Sequence, residues 1–171
     1  MSDEPAEGSR AIRPGEHRGP TLPPDGRRSE PSRQEGWPVE PPRGTETILI
    51  VDDDPAVINV TRSIVERLGY TTLTAHNGRQ AVEIVRTFDG DIHLVILDLM
   101  MPVMDGTEAF PLLVEARPGV KVLIISSWAP DATAQALLDA GAAAFIPKPF
   151  HVVTLAVEIR RALDARPKTT S

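Results

Sequence analysis

The chain has 171 residues, no cysteine, and 18 basic against 24 acidic residues, for a formal net charge of -6. That length allows one domain plus extra chain. The missing cysteines remove disulfides and thiolate chemistry and fit a reducing compartment, and the acidic balance argues against a nucleic-acid surface, which needs clustered Lys and Arg. No run of about 18 apolar residues marks a membrane span and no charged-then-apolar leader opens the sequence, so a cytoplasmic setting with no membrane and no nucleic acid is expected.

Residues 1–44 hold nine Pro and six Gly, and their large apolar residues are few: Ile12, Leu22, Trp37 and Val39. Seven basic and eight acidic residues nearly cancel, and no period of 2 or 3.6 is visible. Such a composition cannot bury enough apolar surface to offset chain entropy, which predicts a disordered, Pro-stiffened tail. Beyond it residues 45–171 carry 11 basic and 16 acidic residues (18 − 7 and 24 − 8), and a compact domain is expected over 45–166, with 167–171 as a second short tail.

The domain alternates short apolar runs with helical periods. Thr47–Val51 reads as a strand running into Asp52-Asp53-Asp54. Asp54 at N-cap and Pro55 at N1 start a helix in which Val57, Ile58, Ile64, Val65 and Leu68 recur, and Gly69 stops it. Thr71–Ala75 is a second strand. Asn77 and Gln80 have the spacing of a capping box, with Ala81, Val85 and Phe88 on one face of the helix that follows. Leu94-Val-Ile-Leu-Asp98 is an apolar run ending in a single acid, followed by Pro102 and an Asp105-Gly106 turn. The next helix carries Phe110, Leu113 and Val114, and Pro111 within it predicts a late start or a kink. Lys121–Ser126 is a fourth strand, Asp131–Ala140 a helix closed by Gly141, and Ala143–Ile146 a fifth strand leading into Pro147-Lys148-Pro149. A last helix shows Val152, Leu155, Ala156, Ile159 and Leu163 on one face, and Pro167 ends it.

Five strands alternating with five helices predict an α/β fold: a doubly wound, five-stranded parallel (βα)5 sheet of order 2-1-3-4-5. Ligands of such sheets bind beyond the carboxyl ends of the strands. There the first strand places Asp52 and Asp53, the third Asp98, the fourth Ser126 and the fifth Lys148. Three crowded carboxylates repel one another and call for a compensating cation. Mg²⁺, which takes one or two carboxylates, a carbonyl and waters, suits them. Nucleophilic carboxylate, metal site, ammonium and hydroxyl together make up a phosphoryl-transfer site.

Three segments, Ile48-Leu-Ile-Val-Asp-Asp-Asp-Pro55, Leu97-Asp-Leu-Met-Met-Pro-Val-Met-Asp-Gly106 and Phe145-Ile-Pro-Lys-Pro-Phe150, resemble the receiver domain of bacterial two-component response regulators. The resemblance covers about Thr45 to Ala165 and implies the flavodoxin-like receiver fold. It implies that Asp98 is the phosphoacceptor and that a histidine kinase or histidine phosphotransfer protein supplies the phosphoryl group. Asp53, Asp98 and the Met100 backbone carbonyl would ligate Mg²⁺, Asp52 would act mainly through water, Lys148 would pair with phosphoryl oxygens, and the Lys148–Pro149 bond would be cis. Ser126 and Phe145 would be the switch pair. The hydroxyl is Ser rather than the commoner Thr, and the ring lacks the hydroxyl of the frequent Tyr. Side chains two past the acceptor and two past the switch hydroxyl, Met100 and Trp128, are both large and apolar, which predicts a long-lived phosphoryl group.

Rival chemistries fare worse. A haloacid-dehalogenase-type phosphatase needs a second acid where Met100 stands, a flavin binder needs a Ser/Thr/Gly loop where three acids stand, and no P-loop motif occurs. A non-phosphorylated scaffold acting through protein contacts alone is the remaining alternative. With about five residues after the last helix, no DNA-binding output is expected. The output surface is expected on the fourth helix, fifth strand and fifth helix, with Val153 and Val157 facing a downstream protein or a second copy.

Overall fold

The computed structural model describes residues 41–127 and 131–165. The expectations for residues 1–40, for Trp128 and for 167–171 fall outside the described residues. Five strands, β1 (Thr47–Val51), β2 (Thr71–Ala75), β3 (Leu94–Asp98), β4 (Lys121–Ser126) and β5 (Ala144–Pro147), alternate with five helices: α1 (Pro55–Arg67), α2 (Gly78–Thr87), α3 (Gly106–Ala116), α4 (Asp131–Asp139) and α5 (Val152–Asp164). All strand pairs are parallel and the order is β2-β1-β3-β4-β5, as the alternation predicted.

Every residue of β3 is buried, because the strand lies at the centre of the sheet with helices on both faces. Side chains alternate between the faces. Leu49, Val51, Val95, Leu97, Val122 and Ile124 pack with Ala81 and Val85 of α2, Phe110 and Leu113 of α3 and Leu137 of α4. Ile48, Ile50, Leu94, Ile96, Leu123 and Ile125 pack with Ile58 and Val65 of α1 and Leu155 and Ile159 of α5. β2, at the edge, is exposed at Thr71 and only partly covered over Thr72–Thr74.

Local signals fix the helix starts. The Asp54 side chain accepts from the Ala56 N–H at 2.8 Å, ahead of Pro55. Asn77 accepts from the Gln80 N–H at 2.9 Å, but the Gln80 side chain reaches one residue past the cap, to the His76 N–H at 2.7 Å. α3 departs from expectation. It starts at Gly106, with no delay, and Pro111 lies inside it. A reciprocal capping box explains the early start: Asp105 accepts from the Thr107 and Glu108 N–H groups, and Glu108 accepts from the Asp105 N–H. Pro111 costs the hydrogen bond that the Thr107 carbonyl would have received, and Thr107 is exposed to water that can replace it. Gly106 is required for another reason: a Cβ there would overlap the Asp98 carbonyl oxygen and lie 2.8 Å from the Leu99 Cα.

At the opposite end of the sheet an ion-pair cluster ties the lead-in of β1 to α5. Arg160 donates to Glu46 at 2.8 Å and pairs with Asp164 at 2.9 Å. The Arg160 hydrogen bond holds the Glu46 carboxyl down at about 2. A carboxyl whose folded pKa is depressed stabilises above its unfolded value, and that contribution is lost as pH falls through the folded one. Glu46→Gln is therefore expected to cost about 1–3 kcal/mol at pH 7. Urea titrations of the two proteins should converge between pH 4.5 and about 2.

Candidate functional site

The register brings the polar strand ends to one edge. Asp98 pairs with Ile125, one residue before Ser126, and Ser126 pairs with Pro147, one residue before Lys148. β1 lies on the other side of β3, Val51 opposite Leu97, so Asp52 follows immediately. Asp52, Asp98 and Ser126 are all buried, at 4%, 5% and 1% exposure, whereas Asp53 is exposed. Among the described residues the buried polar side chains are these three and Thr61 of α1, and the gathering of three of them at one sheet edge marks a site rather than a turn.

Lys148 binds the edge together. Its Nζ lies 2.5 Å from Asp52 Oδ2 and 3.1 Å from Asp98 Oδ1, and its N–H donates to the Ser126 carbonyl at 2.9 Å. The Lys148–Pro149 bond is cis. Asp52 Oδ1 accepts from the Asp54 N–H at 3.0 Å, so both Asp52 oxygens are engaged. Asp98 Oδ2 accepts from the Met100 N–H at 3.1 Å. Asp98 Oδ1 differs: it is buried and, apart from the Lys148 charge, has no hydrogen-bond partner.

Charge balance at this edge favours a cation. Carboxylate oxygens of Asp52, Asp53 and Asp98 lie within 4.8 Å of one another, against the single ammonium of Lys148. Burial pushes the Asp98 carboxyl above the usual carboxylate range; Lys148 opposes the shift and Asp52 adds to it. Burial disfavours the Lys148 ammonium, but Asp52 and Asp98 outweigh it and hold the amine above its ordinary value. An orphaned buried oxygen beside an exposed carboxylate, all hard oxygen donors, fits a divalent cation entering from the Asp53 side.

The other residues singled out from sequence are placed as follows. Met100, two residues past Asp98, is 58% exposed. Phe145 is half-buried and lines a groove over β5 with Leu138 of α4 and Glu158 and Arg161 of α5. Val153 and Val157 are exposed, off the stripe Leu155, Ala156, Ile159 and Ala162 that α5 buries. One feature escaped sequence reading. A groove of about 570 Å³ between α1 and the start of α5 is lined by Val57, Val60, Ile64, Phe150 and Val152, and it shares Lys148 with the acidic site. Val60, spaced from Val57 and Ile64 like a core residue, is 60% exposed.

A parallel five-stranded α/β sheet with buried acids and a lysine at its carboxyl edge defines a class of signalling domain, and comparison with known proteins agrees. The family described as "Response regulator receiver domain" matches residues 48–160, and the chain belongs to this family, whose general function is that of a phosphoacceptor switch in two-component systems. The chain is 34% identical over 122 residues to the sensor kinase CckA of Brucella abortus, covering 71% of this chain and 13% of that protein. It is 34% identical over 104 residues to the chemotaxis protein CheY of Halobacterium salinarum, covering 61% of this chain and 85% of that protein. Among solved structures, a CheY-like receiver domain protein from Methanospirillum hungatei is 31% identical with a TM-score of 0.66, over 71% of this chain and 95% of that one. A CheX–CheY–BeF3–Mg complex from Borrelia burgdorferi is 28% identical with a TM-score of 0.64, over 67% of this chain and 86% of that one. The chain spans between 13% and half of the length of the kinase and several regulators that it matches. Among the described residues no helix is long and apolar enough to cross a membrane.

Proposed function

We propose that residues 45–166 form a cytoplasmic phosphoacceptor switch in which Asp98 takes a phosphoryl group from a phosphohistidine of a histidine kinase or histidine phosphotransfer protein. The observation that carries this reading is Asp98 Oδ1, buried and faced by the Lys148 ammonium alone, 3.1 Å away. An Asp98 carboxylate oxygen attacks phosphorus, the phosphorus–imidazole nitrogen bond breaks, and the histidine leaves with the bonding pair. Lys148 meets the phosphoryl oxygens with positive charge. Mg²⁺ would be held by Asp53, Asp98 and the Met100 carbonyl, with Asp52 acting through water, and would supply charge neutralisation on those oxygens. The engagement of both Asp52 oxygens supports its indirect role. The groove beside Lys148 suits an apolar helix face carrying the donor histidine, since it combines an aliphatic lining with direct access to the acceptor edge.

The added charge at Asp98 draws Ser126 toward it and lets the Phe145 ring move inward, reshaping the α4–β5–α5 surface for a downstream protein or a second copy. Protein contacts, not DNA, carry the output on this reading. The test is phosphotransfer from a panel of phosphorylated histidine kinases and phosphotransfer proteins to the full chain, with the acyl phosphate located by borohydride trapping. Transfer to Asp98 that needs Mg²⁺ is expected; contacts with kinases but no labelling would instead favour the scaffold reading.

The phosphoryl group is expected to persist. Water must attack in line, and Met100 offers an apolar thioether beside that approach in place of a group able to orient it. Trp128 stands two residues past Ser126 in the sequence, and the double variant Met100→Asn/Trp128→Lys should lose phosphate at least about tenfold faster, each ~1.4 kcal/mol being one decade. Equal decay of labelled wild type and variant would end the shielding account.

A further inference from the structure

We propose that Gly78, the first residue of α2, is a positioning residue for the acceptor site, holding the β3–α3 loop so that the Met100 carbonyl stays where a cation needs it. The inference rests on the metal-assisted acceptor reading of Asp98. The loop is tied to itself at three places: Met100 N–H to Asp98 Oδ2 at 3.1 Å, Met104 N–H to the Pro102 carbonyl at 2.9 Å, and Gly106 N–H to the Leu99 carbonyl at 3.0 Å. The middle bond closes a γ-turn around Val103, whose φ is 75°. That is the rare left-handed form of the turn, and a β-branched side chain opposes it. Such a conformation persists only where the surroundings over-determine it.

Gly78 supplies the external hold. Its N–H donates to the Met104 carbonyl at 3.1 Å, a backbone hydrogen bond that reaches residues 100–105 from outside β3, the loop itself and α3. The approach excludes any side chain: a Cβ would sit 2.8 Å from the Met104 oxygen, 2.8 Å from its Cγ and 2.7 Å from the Ala109 Cβ. Gly78 is itself fixed, since Asn77 caps α2 and Ala81, Val82 and Val85 are buried against the sheet. A Cβ at 78 must push Met104 outward, and Val103 then has no reason to keep its turn. The relaxation runs back through Pro102 toward Met100.

The experiment is calorimetric titration of Mg²⁺ into the full chain as wild type, Gly78→Ala, Val103→Gly and the double variant, with melting temperatures in chelator alongside. Gly78→Ala is expected to bind Mg²⁺ about tenfold more weakly, the usual cost of losing a residue that orients a metal site. Val103→Gly alone should keep wild-type affinity, and the double variant should recover most of the loss, because Gly holds the turn without strain. A merely structural Gly78 would lower the melting temperature and leave affinity within about twofold, which overturns the proposal; so does a double variant no better than Gly78→Ala. A wild type that binds no Mg²⁺ defeats the acceptor reading itself, and the proposal with it. Should Gly78→Ala not fold, amide exchange in the wild type decides: Mg²⁺ should slow the Gly78 and Met104 amides together, and exchange unchanged by Mg²⁺ overturns the proposal.

Discussion

Replacing Asp98 by asparagine is expected to abolish phosphoryl uptake and, in the absence of metal, to raise the melting temperature. The first effect follows from the proposed role of Asp98 as the nucleophile, since asparagine has no carboxylate to attack with. The second follows from the environment of that carboxylate, which is 5% exposed, close to Asp52, and pushed upward in pKa mainly by burial. A carboxyl whose folded pKa lies above its unfolded one is favoured in its neutral form by folding. Stability therefore falls as pH rises through the interval between the two values, and at pH 7 the charge is a net cost. Asparagine removes that charge and can still accept the Met100 N–H. The gain should be a few degrees, since one kcal/mol is worth about 3–6 °C in a domain of this size. Mg²⁺ should reverse the ranking, stabilising wild type by mass action and the variant much less. Thermal melts with chelator and with Mg²⁺, beside labelling, check all three points. Persistent labelling of Asp98→Asn, or a lower melting temperature in chelator, would show that the site had been misread.

The sequence was most legible where burial is simplest. β1, β3 and β4 were read to the residue because central parallel strands are apolar runs with sharp polar ends, and those ends are the site. α3 was misread because Asp105-Gly106 resembles a turn and Pro111 a breaker; Glu108, three residues past Asp105, was the signal of the capping box. The groove beside Lys148 was not legible. Val57, Val60 and Ile64 have core spacing, and only the position of α1 over the sheet leaves Val60 outside. Nothing in a valine announces a φ of 75°, so the strain at Val103, about 1–3 kcal/mol for a residue so held, becomes visible only in three dimensions. Sequence placed Lys148 at the right edge, but its simultaneous hold on Asp52 and Asp98 is a matter of distance.

That double hold sets the effect of Lys148→Ala. The variant is expected to take up phosphoryl groups at least about 100-fold more slowly, the usual consequence of deleting a preorganised charge aimed at the reacting group. It should also be less stable at pH 7 without metal. Lys148 is held above its ordinary pKa by the two aspartates, so its contribution is complete below the unfolded value of 10.5 and is lost only as pH rises through the folded one. Deleting one partner of a buried ion pair costs about 3–5 kcal/mol when the remaining charge cannot escape. Here it can: Asp98, already shifted upward, takes a proton more readily once the ammonium is gone. The deficit should therefore shrink as pH is lowered, and also as Mg²⁺ is added, because a divalent cation replaces the missing positive charge. Mg²⁺ affinity itself should not fall and is expected to rise, since the ammonium no longer competes for Asp98 Oδ1. Slow phosphorylation with unimpaired Mg²⁺ binding is the signature of a group that acts on the phosphoryl oxygens rather than on the metal. A Lys148→Ala protein that is labelled at the wild-type rate, or that fails to bind Mg²⁺ while remaining folded, would remove Lys148 from that role.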